Sequence, residues 1–411
     1  MSTSNNTQLD HSKVKFPIKI IHWSLDYSGD DDSKLATPIL LQEKNGPCPL
    51  IALINTLLLK AEEQIRHNTR NEIKITSIEE KKLIGVLEFK NFLMNQYNIS
   101  TNIDLSTLLS HLGDLLLIYV EESGYHYEVD KLLANLPLLH TGLSVDPNLL
   151  TGDFTPNDIA TTLFKLFDLK LKHGWVINQI DNENIEWNSD QQQTSSPTSS
   201  PKIDNYAHVV DLFNKLQTFD QIQDFLLDSS PSVEDNGVVD TLDHFQDKRL
   251  VQKWLDLNKT QLTQIGLNRL NFNLLKGEFI VFFRNNHFNT LFKKDEQEFY
   301  ILLTDASFTS KSSKIIWQSL NSVSGNDDLF FTGDFLPILD IDQDLPPHDE
   351  THGSDYLLSK QLQEEEDQRM AKEMQASYNK PKPKEQPPVT KSSDSKEEKK
   401  KKKKKLGCVI T

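Results

Sequence analysis

The sequence predicts an α+β fold: a helical part, an antiparallel sheet and a disordered C-terminal tail. Three features of the text carry that expectation. Apolar residues recur at helical spacing over 50–58 and again through 78–140. Short runs of β-branched and aromatic residues, broken by polar turns, follow at 278–303. Beyond Pro346-Pro347 the apolar pattern stops, and an acidic stretch gives way to a Pro-, Lys- and Ser-rich one that cannot build a core.

Taken in order, residues 1–15 are polar and read as disordered. Phe16 opens a strand-like run that ends at Trp23, and Gly29-Asp30-Asp31-Asp32 marks a loop. Ile39 to Gln42 is extended or turn, and Asn45-Gly46-Pro47 is a breaker cluster. Leu50, Ile51, Leu53, Ile54, Leu57 and Leu58 then predict a buried helix. It begins near Cys48 or Pro49, where a proline's missing N–H costs nothing. Leu83, Leu87, Phe92 and Leu93 mark one further helical stripe, and Leu105, Leu108, Leu109 and Leu112 another. Over 131–167 apolar patches alternate with the turn signals Thr141-Gly142 and Thr151-Gly152. The polar, low-complexity stretch 188–202 reads as a surface insertion. Helical patterns return at 206–227 and 248–268. Glu278–Phe283, a run from His287 through Phe292, and Phe299–Leu303 predict a meander of antiparallel strands. One globular domain is therefore expected over 16–345. An exposed acidic helix follows at 350–379, and a disordered polybasic tail at 380–411.

Composition narrows the function classes. The 411 residues carry a net charge of −16, which argues against nucleic acid as a partner. The charge is uneven, because residues 380–411 hold twelve lysines against four acids. That points to a basic tail with its own task. The two cysteines, Cys48 and Cys408, make neither a disulfide framework nor a four-ligand zinc site. The N-terminus has no apolar leader, and no run of about 18 apolar residues occurs. The chain reads as intracellular, and no metal or organic cofactor is called for.

Cys48 lies between two prolines at the expected start of an apolar helix. The partial positive charge and free N–H groups there favour a thiolate and can receive an oxyanion. Gln42, six residues upstream, is a candidate side-chain donor to the same oxyanion. The plainer alternative is a small buried hydrophobe. A thiolate needs a base, and His287 is the best placed, opening a strand after a tight turn. His173, in His173-Gly174-Trp175, competes with it. Asp305, after the third strand of the meander, is a candidate to orient an imidazole, or else simply closes a local turn.

Two long motifs then carry a resemblance. Gln42-Glu43-Lys44-Asn45-Gly46-Pro47 before Cys48, with Pro49-Leu50-Ile51-Ala52-Leu53-Ile54-Asn55 after it, resembles the active-site segment of the MINDY deubiquitinases. So does Phe282-Phe283-Arg284-Asn285-Asn286-His287-Phe288, with Leu302-Leu303-Thr304-Asp305 and Trp317-Gln318-Ser319-Leu320 following in order. His173-Gly174-Trp175 and Thr141-Gly142-Leu143 also look like family landmarks, and the likeness covers about residues 16–335. The resemblance implies a variant of the papain-like cysteine protease fold. It implies hydrolysis of isopeptide bonds in lysine-48-linked polyubiquitin, with ubiquitinated proteins as partners. Cys48 would be the nucleophile, His287 the general base and Gln42 the oxyanion donor; no third member is firmly implied. The alternative from another class is a non-catalytic, membrane-held ubiquitin-binding adaptor.

In the acidic helix Leu358 and Leu362 stand at i, i+4 beside the small residue Ser359. So narrow a stripe cannot build a core but can lie in a partner's groove. It looks like the ubiquitin-interacting helix of the family, with Ser359-Lys360 where Ala-Leu would be expected. Finally, seven consecutive lysines, Lys399–Lys405, precede Leu406-Gly407-Cys408-Val409-Ile410-Thr411. A cysteine four from the end with two aliphatics after it reads as a prenylation signal at Cys408. A lipid plus a polybasic patch makes two signals for an anionic membrane surface. The expected location is cytoplasmic and peripheral on membranes.

Overall fold

The computed structural model describes residues 14–25, 34–43, 48–123, 129–141, 143–156, 159–178, 205–228, 241–307, 314–325 and 328–338. The insertion at 188–202, the acidic helix with Leu358, Ser359 and Leu362, and the tail with Cys408 lie outside the described residues, as does Asn45-Gly46-Pro47.

Helices and mainly antiparallel sheets combine as the α+β reading expects. The chain opens with β1 (Lys15–Trp23) and β2 (Leu35–Leu40). The long helices α1 (Cys48–Arg70) and α2 (Ser77–Ile99) follow, then the short β3 (Asn102–Asp104) and α3 (Leu105–Ser123). α4 (Val129–Asn135), α5 (Leu138–Thr141) and α6 (Ile159–Leu166) lead to β4 (Leu171–His173). A helical layer comes next: α7 (Tyr206–Leu216), α8 (Phe219–Leu227), α9 (Thr241–Leu257) and α10 (Gln264–Asn273). The meander closes the described chain: β5 (Glu278–Arg284), β6 (His287–Asp295), β7 (Glu298–Leu302), β8 (Trp317–Ser319) and β9 (Phe330–Phe331).

The strands form two sheets, a three-stranded one in the order β2-β1-β3 and a six-stranded one running β4 to β9 in sequence order. Among the described strands, only β4, which pairs with β5, is parallel to its neighbour. Five successive residues of β5, Phe279–Phe283, are buried, because both faces of that sheet are covered. Val281 and Phe283 join Leu50, Leu53, Ile54 and Leu57 of α1 in one core. Ile280 and Phe282 join Leu267 and Leu270 of α10 in another. α7 to α9 close on their own core around Phe213 and Trp254, to which Trp175 contributes.

Three local expectations are corrected. The core stripe of α2 is Leu83, Val86, Phe89 and Leu93, while Leu87 and Phe92 sit on its flanks. The helical stretch 206–227 is two helices, broken at Thr218, whose side chain and Gln221 form a capping box. The extended stretch before Gln42 is a full strand from Leu35, with Pro38 tolerated because β2 is an edge strand.

Candidate active site

Cys48 is the first residue of α1. The first turn of any helix leaves backbone N–H groups without intrahelical partners. Three buried polar contacts fix where that helix start lies. Thr56 and Thr290 share a hydroxyl hydrogen bond of 2.9 Å, which locks α1 onto β6. Asn55 grips the Leu40 peptide, accepting its N–H at 2.8 Å and donating to its C=O at 2.9 Å, which locks α1 onto β2. Farther along, Thr37 donates to Glu62, whose carboxylate also takes Lys90 of α2.

Standard rises convert these locks into levels along the helix. His287 opens β6, three strand residues before Thr290, or roughly 10 Å. Cys48 is eight helical residues before Thr56, roughly 12 Å. Gln42 is two residues beyond Leu40, roughly 7 Å, and Cys48 is seven before Asn55, roughly 10 Å. Cys48, His287 and Gln42 thus stand at one end of the molecule's core, within about one helical turn of a common level.

Gln42 is held by backbone on its other side. Its N–H donates to the Thr304 carbonyl at 2.6 Å, and its own carbonyl accepts from Ala306 N–H at 2.9 Å. Leu303 N–H and Phe299 C=O bond toward β8, so Thr304 and Ala306, of opposite phase, face the β6 side. The β6–β7 ladder stops at Leu291↔Ile301. Past that point Gln42 takes the edge that β6 leaves, so it sits in the fork between the start of β6 and the extension of β7.

His287 pairs with Arg284 across the tight turn Asn285-Asn286, both of whose residues have positive φ. Burial pushes its imidazole pKa below the ordinary value. His173 is different. Its Nε2 bonds the Asp153 carbonyl at 2.9 Å, and its Nδ1 accepts Trp175 N–H at 3.1 Å. Burial pushes its pKa down to about 4. Both nitrogens hold local backbone, so His173 is a structural residue. The adjoining Gly174 is structural too: a Cβ on Gly266 would stand 1.8 Å from the Gly174 carbonyl oxygen, so the two backbones touch. Asp305 is exposed, and its carboxylate accepts Ser307 N–H at 2.8 Å, the local turn that was its plainer reading.

Sequence reasoning missed Asn55, Thr56 and Thr290, which lock the frame. The signal was present: Asn55 and Thr56 interrupt an otherwise apolar run, Leu50–Leu59, on a helix read as buried.

The family model described as MINDY deubiquitinase matches residues 14–335. The chain is 32% identical over 349 residues to the ubiquitin carboxyl-terminal hydrolase MIY1 of Saccharomyces cerevisiae, covering 81% of this chain and 82% of that protein. It is 28% identical over 374 residues to human ubiquitin carboxyl-terminal hydrolase MINDY-2, covering 86% of this chain but 47% of the relative. With human MINDY-1 the figures are 28% over 310 residues, 73% and 51%. The chain therefore spans most of the yeast protein and about half of each human one.

Proposed function

The chain belongs to the MINDY deubiquitinase family of cysteine hydrolases, and from that premise we propose that it cleaves isopeptide bonds in polyubiquitin with Cys48 as nucleophile. The observation that carries this reading is the shared level of Cys48, His287 and Gln42, set by the Thr56–Thr290 and Asn55–Leu40 locks.

The chemistry follows a papain-like course. His287 takes the Cys48 thiol proton, and the thiolate attacks the carbonyl carbon of ubiquitin's C-terminal glycine. The Gln42 amide and the free N–H groups at the start of α1 hold the oxyanion. The lysine amine leaves with the proton from His287, and water, activated by the same imidazole, hydrolyses the thioester. The low pKa of His287 suits it to begin the cycle as a neutral base.

The preferred linkage is proposed to be lysine-48, on the motif resemblance around Cys48 and His287. Leu358, Ser359 and Leu362 are proposed to bind ubiquitin and raise the effective concentration of long chains. Cys408 is proposed to carry a prenyl group that, with Lys399–Lys405, holds the enzyme at anionic membranes. The central test is incubation with a panel of linkage-defined ubiquitin chains, wild type against Cys48→Ala. Lysine-48 chains are expected to be cut by the wild type alone. Cleavage by Cys48→Ala would reject the mechanism, and preference for another linkage would reject the substrate assignment. Intact-mass measurement of the protein isolated from its own cells tests the lipid: an unmodified C-terminus rejects it.

A further inference from the structure

We infer that Asn55 is the positioning residue that sets the oxyanion donor Gln42 against the start of α1. The inference rests on the reading of Gln42 as oxyanion donor.

Among the described residues β2 is an edge strand, paired with β1 on one side only. Its other side is a row of backbone groups that need partners. At Leu40 the partner is the Asn55 side chain, which supplies both an acceptor and a donor as a neighbouring strand would. At Gln42, the next outward-facing residue, the partners are Thr304 C=O and Ala306 N–H. The side-chain amide of Asn55 is therefore the first rung of a ladder whose second rung is Gln42 itself. Asn55 is wholly buried, so water cannot replace it at Leu40. It lies on the same helix that begins with Cys48. One side chain thus ties the strand of the donor to the helix of the nucleophile, and does so without touching substrate. Leu40 and Gln42 also share a face of the strand, and Leu40 packs into the core that α1 builds.

Loss of this clamp frees the edge to shift relative to α1. A displacement of about 1 Å in a catalytic donor can cost on the order of 100-fold in rate. The test uses the full chain with lysine-48-linked tetraubiquitin, comparing Gln42→Ala, Asn55→Ala and the double variant. Asn55→Ala is expected to lower kcat by about 10- to 100-fold with KM little changed. In the Gln42→Ala background it is expected to add nothing, because the group it positions is gone. Alkylation of Cys48 by iodoacetamide, which needs the thiolate but no oxyanion donor, is expected to keep its wild-type rate. Multiplying losses in the double variant, or alkylation slowed in step with cleavage, would show a merely structural residue and overturn the inference. Should Asn55→Ala not fold, Asn55→Asp keeps the acceptor for Leu40 N–H but sets a carboxylate against Leu40 C=O. Its kcat deficit relative to wild type is expected to shrink as pH falls and the carboxyl gains a proton to donate. A deficit independent of pH overturns the inference. Wild-type kcat in Gln42→Ala instead defeats the oxyanion reading itself. A damaged Gln42→Ala beside an unaffected Asn55→Ala defeats only the role of Asn55.

Discussion

Two histidines stand on the same sheet with one strand between them, His173 closing β4 and His287 opening β6. Burial lowers the pKa of both. Their surroundings otherwise diverge. His173 has each ring nitrogen engaged with backbone, one with Asp153 C=O and one with Trp175 N–H, in a segment pinned by Thr263 and Gly266. His287 lies at the end of the sheet, beside the fork that Gln42 fills and level with the first turn of α1. A depressed pKa therefore marks burial and does not by itself pick out a catalytic base. A histidine whose nitrogens are both spent cannot move a proton without dismantling its own loop.

The sharpest way to break the contrast starts from Cys48, the proposed nucleophile that both histidines were candidates to serve. Cys48→Ala is expected to abolish cleavage of polyubiquitin while leaving binding of the chains largely intact, as read by turnover beside a binding isotherm. Detectable turnover with full binding would remove the reason to choose between the histidines at all.

Next in size is His287→Ala, expected to lower kcat by about 100- to 10,000-fold, the usual range for a general base, with little change in melting temperature. Its titration carries a sign. With its pKa below the ordinary 6.5, the imidazole stays neutral to lower pH, so the acidic limb of kcat/KM is expected below pH 6.5. A limb above that value would contradict burial as the dominant influence.

Gln42→Ala is expected to lower kcat by a smaller factor, about 100-fold, because backbone donors at the start of α1 remain. An effect confined to KM would assign Gln42 to substrate binding.

His173 supplies the converse experiment, read in stability instead of rate. Its folded pKa is about 4 against an ordinary 6.5. Between those values the unfolded chain takes up a proton that the folded chain refuses. Stability is therefore fully present above pH 6.5 and declines as pH falls toward 4, by up to about 3 kcal/mol. His173→Ala is expected to lower the melting temperature and flatten that slope in denaturant titrations. Below its melting temperature it should keep kcat within a few-fold of wild type. A catalytic collapse in a folded His173→Ala would reverse the roles assigned to the two residues.

Much of this molecule was legible in its sequence. Helical spacing found α1, because a buried helix must repeat its apolar face every turn, and the expected start near Cys48 or Pro49 agrees with the observed one at Cys48. Aromatic and β-branched runs found β5, β6 and β7, and the chemistry of a helix start singled out Cys48. The expected acidic helix at 350–379 and the polybasic tail lie outside the described residues. Other elements were decided by tertiary contacts. β3 and β4 are three residues each, too short to show a period, and exist because β1 and β5 offer them hydrogen bonds. The stripe of α2 rotated from Leu87 and Phe92 to Val86 and Phe89, since which flank is buried depends on where α1 and α3 lie. The difference between His287 and His173 was likewise invisible in one dimension: each stands beside aromatic residues, and only folding brings the Asp153 carbonyl to His173. Gln42, too, is placed by partners far along the chain, Thr304 and Ala306. Local periodicity records what each segment buries. The meeting of segments depends on hydrogen bonds across long stretches of chain, and no short window of sequence contains both partners.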